Sequence, residues 1–86
     1  MEAVVASIRK CGPLVRRIRQ KRNKTLPQLA EASGKTVQLL SMFELGKCGV
    51  SLSTLTKSLS YLKAELVIQS DGRLMIRTLK KNGNGN

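Results

Sequence analysis

TLPQLAEASGKTVQLLSMFELG, residues 25–46, is the stretch of sequence that decides the fold. Thr25 and Thr36 are good N-cap residues, because a threonine oxygen can accept a hydrogen bond from a free backbone N–H of the first turn. Gly34 suits the left-handed position that ends a helix, and Gly46 closes the second helix. The stretch therefore predicts a short helix, a tight turn of about four residues and a second short helix, which is a helix-turn-helix.

The segment before this motif predicts one further helix, over residues 13–22. Gly12 and Pro13 are expected to interrupt the chain, and a proline suits the first turn of a new helix. Asn23 follows where the chain must turn, and asparagine tolerates the left-handed conformation. Residues 1–12 are expected to form an N-terminal arm, whose apolar start fits either a helical turn or a short strand.

The segment after the motif predicts a fourth helix. Ser51 is its expected cap, and leucines then recur at helical spacing, which is typical of one apolar stripe facing a core. The four leucines of that stripe are Leu52, Leu55, Leu59 and Leu62. The helix-turn-helix domain is therefore expected to span residues 13–64.

Residues 65–78 change to the alternating pattern of β-strands. Asp71-Gly72 is a strong signal for a hairpin with a two-residue turn. Such a turn would pair Ile68 with Met75 and Val67 with Ile76. Lys80 to Asn86 contain no apolar residue, so residues 79–86 are expected to form a disordered tail.

A hairpin of two strands is marginally stable in water, so it must pack on another surface. A second copy of the same segment is the economical candidate, and residues 65–78 are therefore assigned to dimerisation. The residues expected at this interface are Leu66, Val67, Ile68, Leu74 and Ile76.

The charge of the chain indicates a polyanionic partner. Sixteen Lys and Arg stand against five Asp and Glu, a formal net charge of +11, and residues 9–24 are rich in bases without one acid. Such an excess of bases favours contacts with phosphates. The alternative interpretation is that these side chains only form a solvated helix face. Phe43 and Tyr61 are the only aromatic residues, which argues against stacking of single-stranded nucleic acid.

Several other classes of function find no support. The chain has no His, and Cys11 and Cys48 stand far apart, which excludes the usual zinc spacings and leaves both thiols reduced by default. No nucleophile–base pair or phosphate-binding glycine loop is visible, so neither an enzyme nor a cofactor is expected. No apolar run reaches the length of a membrane span, and the start is unlike a signal peptide. A cytoplasmic, nucleoid-associated bacterial protein is expected.

Residues 18–37 and 43–47, IRQKRNKTLPQLAEASGKTV and FELGK, resemble the lambda-repressor-like helix-turn-helix family, also called Xre or Cro/CI, and the likeness continues into SLSTL at residues 51–55. The resemblance implies a mainly α fold: a four- to five-helix lambda-repressor-like domain, with a short C-terminal β-strand or hairpin at a dimer interface. Asn23, Leu26, Leu39 and Met42 depart from the family pattern without threatening that fold.

The resemblance also assigns roles to individual residues. Arg19 and Glu44 match an internal salt bridge and are expected to be structural. The outward residues of the recognition helix, which would read base edges in the major groove, are Val37, Gln38, Ser41 and Met42. Gln38 is the best reader, because its amide can pair with adenine, while Leu39 fits a base contact and a dimer or core contact equally. The expected phosphate contacts are Thr25, Gln28, Lys35, Thr36 and Lys47, with Arg16 and Arg22 as looser assignments.

The C-terminal half resembles the HipB antitoxin branch, on residues 51–59, Leu62 and residues 65–68. That resemblance implies a homodimeric repressor of its own operon, with a strand paired across the dimer, an inverted-repeat operator and a HipA-like kinase toxin as partner. A stand-alone phage or mobile-element regulator without a toxin is the alternative. A cationic module that binds RNA or acidic protein is a third reading.

Overall fold

Four helices and three strands make up the computed structural model, which describes residues 2–79. In chain order they are β1 (Glu2–Val5), α1 (Ile8–Lys21), α2 (Leu26–Ser33), α3 (Val37–Glu44), α4 (Leu52–Tyr61), β2 (Ala64–Ile68) and β3 (Leu74–Thr78). The mainly α fold with a C-terminal hairpin is confirmed. The strands form one antiparallel sheet in the order β1-β3-β2.

Helix α1 is longer than the sequence predicted, because Gly12 and Pro13 do not interrupt it. The helix begins at Ile8, so Pro13 stands inside it and gives up the hydrogen bond to the Arg9 carbonyl. Gly12 lies against α3: a Cβ atom placed on it would be 1.7 Å from the carbonyl oxygen of Phe43. The glycine therefore permits a close approach of two helices.

The expected N-terminal arm of residues 1–12 is wrong for the same reason. Residues 8–12 belong to α1, and β1 pairs with β3 in the register Val4–Met75 and Val5–Leu74. The apolar start of the chain is thus a strand, one of the two alternatives left open by the sequence.

The caps of the central motif are those the sequence predicted. The Thr25 oxygen accepts from the Gln28 N–H at 3.2 Å, while the Gln28 side chain accepts from the Thr25 N–H at 2.9 Å, which makes a capping box. Gly34 has φ +72°, a left-handed helix end. The Thr36 oxygen accepts from the Leu39 N–H at 3.1 Å. Asn23 also adopts the expected left-handed conformation, with φ +57°.

The core lies where the helices meet one another and the inner face of the sheet. Its largest fully buried side chains include Ile18 of α1, Leu29 of α2, Phe43 of α3 and Ile76 of β3. Burial of each such side chain contributes about 1.5–3 kcal/mol. The leucine stripe of α4 joins this core only from Leu55 onward, because Leu52 stands at the first helical position and is 44% exposed.

The hairpin register differs by one residue from the predicted one. The observed pairs are Ile68–Leu74, Val67–Met75 and Leu66–Ile76. The turn holds three residues rather than two: the Gln69 N–H donates to the Arg73 carbonyl at 2.8 Å, and the Gly72 N–H donates to the Gln69 carbonyl at 2.9 Å. Gly72 supplies the positive φ, +89°, that such a turn requires.

The hairpin packs on its own chain, which bears on the residues expected at a dimer interface. Leu74 and Ile76 face the core and are 8% and 1% exposed, so they are already covered. Leu66 is partly buried against that core. Val67 lies on the opposite face of the sheet and is half-buried, whereas Ile68 is 61% exposed.

The first residue of the predicted tail, Leu79, is hydrogen-bonded to the sheet end of the chain. The Leu79 N–H donates to the Lys63 carbonyl at 2.8 Å, so Leu79 is held beside β2. The rest of the predicted tail, residues 80–86, lies outside the described residues.

Candidate nucleic-acid interface

A short turn holds α2 and α3 in a fixed orientation. The Lys35 N–H donates to the Ala30 carbonyl at 3.0 Å and the Gly34 N–H to the Glu31 carbonyl at 3.3 Å, which satisfies the last carbonyls of α2. The next residue, Thr36, is already the cap of α3. These backbone hydrogen bonds and the cap of α3 together define the path of the chain between the two helices.

An ion pair anchors α3 to α1. The Arg19 Nε donates to Glu44 Oε2 at 2.8 Å and its Nη2 to Glu44 Oε1 at 3.0 Å, while Nη1 donates to the Lys24 carbonyl at 2.8 Å. Both side chains are mostly covered, 12% and 3% exposed. The hydrogen bond with Glu44 raises the pKa of Arg19 despite the opposing effect of burial. Arg19 therefore has a structural role, which is the role that the family resemblance implied.

The outward side of α3 carries five residues at helical spacing, which we call the reading face: Val37, Gln38, Ser41, Met42 and Leu45. Val37 is 42% exposed, Met42 40% and Leu45, the C-terminal cap, 54%. Gln38 is exposed and Ser41 partly so. The four predicted base readers are thus brought together on one surface.

Leu45 is absent from the predicted set of base readers, because the sequence placed it at the end of the helix. It follows Met42 by three residues and Ser41 by four, the spacing that puts side chains on one helix face. That spacing could have found it. Leu39, for which the sequence left two roles open, is only half-buried and lies beside the reading face.

The rim of the reading face carries the groups expected to meet phosphates. Lys35, Thr36 and Lys47 flank α3 at its two ends, and all three are exposed. The oxygens of Thr36 and Thr25 accept cap hydrogen bonds, which leaves their hydroxyl protons able to donate outward. Gln28 likewise keeps its side-chain N–H groups. Because neither α2 nor α3 has an acid in its first turn, both positive helix ends are uncovered.

The two looser phosphate assignments fare differently. Arg16 is exposed on α1. Arg22 is engaged within the fold: its Nε donates to the Leu62 carbonyl at 3.0 Å, and its Nη2 donates to the carbonyls of Lys63 at 3.3 Å and Leu79 at 2.9 Å. This guanidinium joins the end of α1 to the end of α4 and to the sheet, so the geometry gives Arg22 a structural role.

Within residues 2–79, the excess of positive charge lies in the helical part of the molecule. Residues 6–62 hold eleven Lys and Arg against two acids, a net charge of +9. The sheet, residues 2–5 and 63–79, holds three bases against three acids and is neutral. Two of those acids are paired: Asp71 with Arg73, at 2.8 Å, and Glu65 with Arg77. The helices are therefore the part of the molecule suited to a polyanion.

Among the residues that the structure describes, the cysteines and acidic side chains form no visible alternative site. Both thiols are free, and burial raises the pKa of Cys11 to about 11, so at neutral pH it behaves as a small apolar core residue. Within residues 2–79, no three His, Cys, Asp or Glu side chains stand close enough to hold a metal ion. No helix in this described range is long and apolar enough to cross a membrane.

Comparison with known proteins gives one match. A family model described as helix-turn-helix, HTH_3, covers residues 15–67, which is 53 of the 86 residues. No curated protein and no solved structure matches the chain. The matched range runs from the middle of α1 to the end of β2 and contains the whole reading face. The chain therefore belongs to the lambda-repressor-like helix-turn-helix family and is a DNA-binding transcription regulator.

Proposed function

We propose that the protein is a sequence-specific transcriptional repressor that lays α3 in the major groove of its operator. The observation that carries this proposal is the reading face: an exposed side of α3, a helix anchored to α1 by the Arg19–Glu44 ion pair, between Lys35 and Lys47. The major groove admits one α-helix and presents a distinct pattern for each base pair. A protein bound there occludes a promoter without any further activity.

The rim supports this docking by the positions of its donors. The N-terminus of α3 offers free N–H groups and the Thr36 hydroxyl, and the N-terminus of α2 offers the Thr25 hydroxyl and the Gln28 amide. Phosphate contacts of this kind fix the register of a protein on the duplex, while base contacts specify the sequence. Lys35 and Lys47 add charge at either end of α3.

We further propose that the protein binds as a two-fold dimer through the sheet. The outer face of the sheet carries an apolar row across all three strands, in which Val4 and Val67 flank Met75. Val4 is 45% exposed. Two sheets of zero net charge can approach each other, whereas two helical regions of +9 repel. A dimer would read two half-sites about 34 Å apart, which makes the operator an inverted repeat.

A role as an antitoxin is a second candidate. It is favoured by α4, which leads directly into β2 in the segment that resembles HipB. The pairing of β2 with β3 of the same chain differs from the strand exchange that this resemblance implied. Co-expression with a kinase toxin encoded beside the gene separates the two: restored growth supports an antitoxin, and unchanged toxicity leaves a stand-alone regulator.

Binding to the DNA upstream of the gene tests the repressor directly. In a gel-shift assay at physiological salt, that duplex should bind at least a thousandfold more tightly than an unrelated duplex of equal length. A DNase footprint on it should show dyad symmetry, and a reporter under the promoter should lose expression. Equal affinity for unrelated duplexes, or a preference for RNA, would contradict sequence-specific repression. A footprint without dyad symmetry would contradict the dimer.

A further inference from the structure

The reading face has an unusual chemistry for a DNA-binding surface, because it carries no charge. From Thr36 to Gly46 the only ionisable side chain is Glu44, which is 3% exposed and bound to Arg19. Lys35 and Lys47 stand outside α3, at its two ends. The commonest specific contact in the major groove, an arginine or lysine on guanine O6 and N7, therefore has no donor on this helix.

The same face is instead largely apolar. Val37, Met42 and Leu45 are 42%, 40% and 54% exposed, and Leu39 lies half-buried beside them. The hydrogen-bonding groups are limited to the Gln38 amide and the Ser41 hydroxyl. In the major groove, the C5-methyl group of thymine is the apolar feature that such side chains can cover.

We infer that the protein selects half-sites rich in A·T pairs, in which Val37, Met42 and Leu45 cover thymine methyl groups and Gln38 pairs with one adenine. This inference rests on the proposed function, since it names the sequence class that α3 reads. Specificity then comes mainly from burial of methyl groups, and the charged rim contributes affinity without choosing bases.

Replacement of thymine by uracil tests the inference, because it removes the methyl group and keeps the phosphates and the hydrogen-bonding edge of the base. The probe is a duplex selected by the protein from a random-sequence pool. Its half-sites should be rich in A·T pairs. Uracil at each contacted thymine should weaken binding about fourfold, the loss that corresponds to one buried methyl group.

Variants distinguish a methyl contact from an effect of uracil on DNA shape. Val37→Ala and Leu45→Ala should each lose the sensitivity to uracil at one particular thymine and keep it elsewhere. Leu52→Ala is the matched control, because Leu52 is 44% exposed but lies on α4, and it should keep the full sensitivity at every position. A shape effect would leave all variants equally sensitive.

The outcomes separate this inference from the proposed function. A selected site dominated by G·C pairs, or equal binding of thymine and uracil duplexes, overturns methyl readout and leaves sequence-specific repression standing. A selection that yields no preferred sequence overturns both. An A·T-rich site whose uracil sensitivity disappears position by position in the α3 variants supports both.

Discussion

The two sides of α3 differ in almost every physical property. The inner side buries Leu40 and Phe43 at 1% exposure and pairs Glu44 with Arg19, while the outer side leaves Val37 and Leu45 at 42% and 54%. The inner side is fixed by its neighbours, so any change there must alter the fold. The outer side is largely exposed, so it is free to be matched to a ligand.

The same contrast applies to the cations. Arg19 and Arg22 lie in the most basic part of the sequence, yet both are bound to acceptors inside the molecule. Lys35 and Lys47 are exposed at the ends of α3. Charge in the sequence therefore does not separate the cations that stabilise the fold from the cations that are exposed and able to bind a ligand. Substitutions on the inner side should change stability, and substitutions on the outer side should change binding.

Gly12→Ala should have the largest effect, on stability alone. The new Cβ would lie 1.7 Å from the Phe43 carbonyl oxygen, which is backbone and cannot rotate away, so α1 and α3 must separate. We expect a loss of at least 3 kcal/mol in the free energy of unfolding, measured by chemical denaturation. Gly49→Ala is the control, because its nearest atom would be 3.9 Å away, and it should change stability little. Equal stability of the two variants would refute the close helix contact.

Glu44→Ala should have the second-largest effect, again on stability. Among residues 2–79, it leaves the largely buried Arg19 guanidinium with the Lys24 carbonyl as its one remaining hydrogen-bond partner, at a cost of about 3 kcal/mol. Glu31→Ala, an exposed acid on α2, should cost far less. Thermal unfolding followed by circular dichroism compares the two variants. A loss in Glu44→Ala no greater than in Glu31→Ala would mean that the ion pair contributes nothing to the fold.

Gln38→Ala should do the reverse, with little change in stability and a clear change in binding. Removal of the only amide on the reading face should weaken binding to the preferred duplex by about 1–3 kcal/mol and relax the choice of base at one position. Gln20→Ala, an exposed glutamine on α1, serves as the matched control. Fluorescence anisotropy with the preferred duplex measures both. If the two variants bind alike, α3 does not carry the amide contact.

Lys35→Gln should give the smallest effect, visible mainly in its dependence on salt. Loss of one phosphate contact should weaken binding similarly for all sequences and lower the slope of log K against log salt by about one. Lys57→Gln, on α4 and outside the proposed interface, should leave that slope unchanged. Titrations at several salt concentrations provide the measurement. A loss confined to the preferred sequence would instead make Lys35 a base reader.

Much of the fold was predictable because its signals are local. The threonine caps at Thr25 and Thr36 and the glycine at Gly34 each act within a single helical turn, so the sequence placed α2 and α3 correctly, together with four of the five outward residues of α3. The alternation in β3 likewise put Leu74 and Ile76 on one face.

The remaining features depend on contacts between distant parts of the chain. From the sequence alone, Gly12 is interpreted as a helix breaker, because its close approach to α3 is not visible there. Arg22 is interpreted as a phosphate ligand for the same reason: the carbonyls of Leu62 and Leu79 that bind it lie far away in the sequence. The predicted hairpin register was wrong because Asp71-Gly72 fits turns of two residues and of three residues. The strands beyond the turn decide which of the two turns forms.

An NMR titration of the ¹⁵N-labelled protein with its preferred duplex tests the central claim most directly. If α3 lies in the major groove, the largest amide shifts should fall on residues 35–47, centred on the reading face, with smaller shifts at the N-terminus of α2 and little change in the interior of the sheet. Shifts centred on the basic outer face of α1, around Arg17 and Lys21, or on the sheet, with α3 unperturbed, would contradict the account.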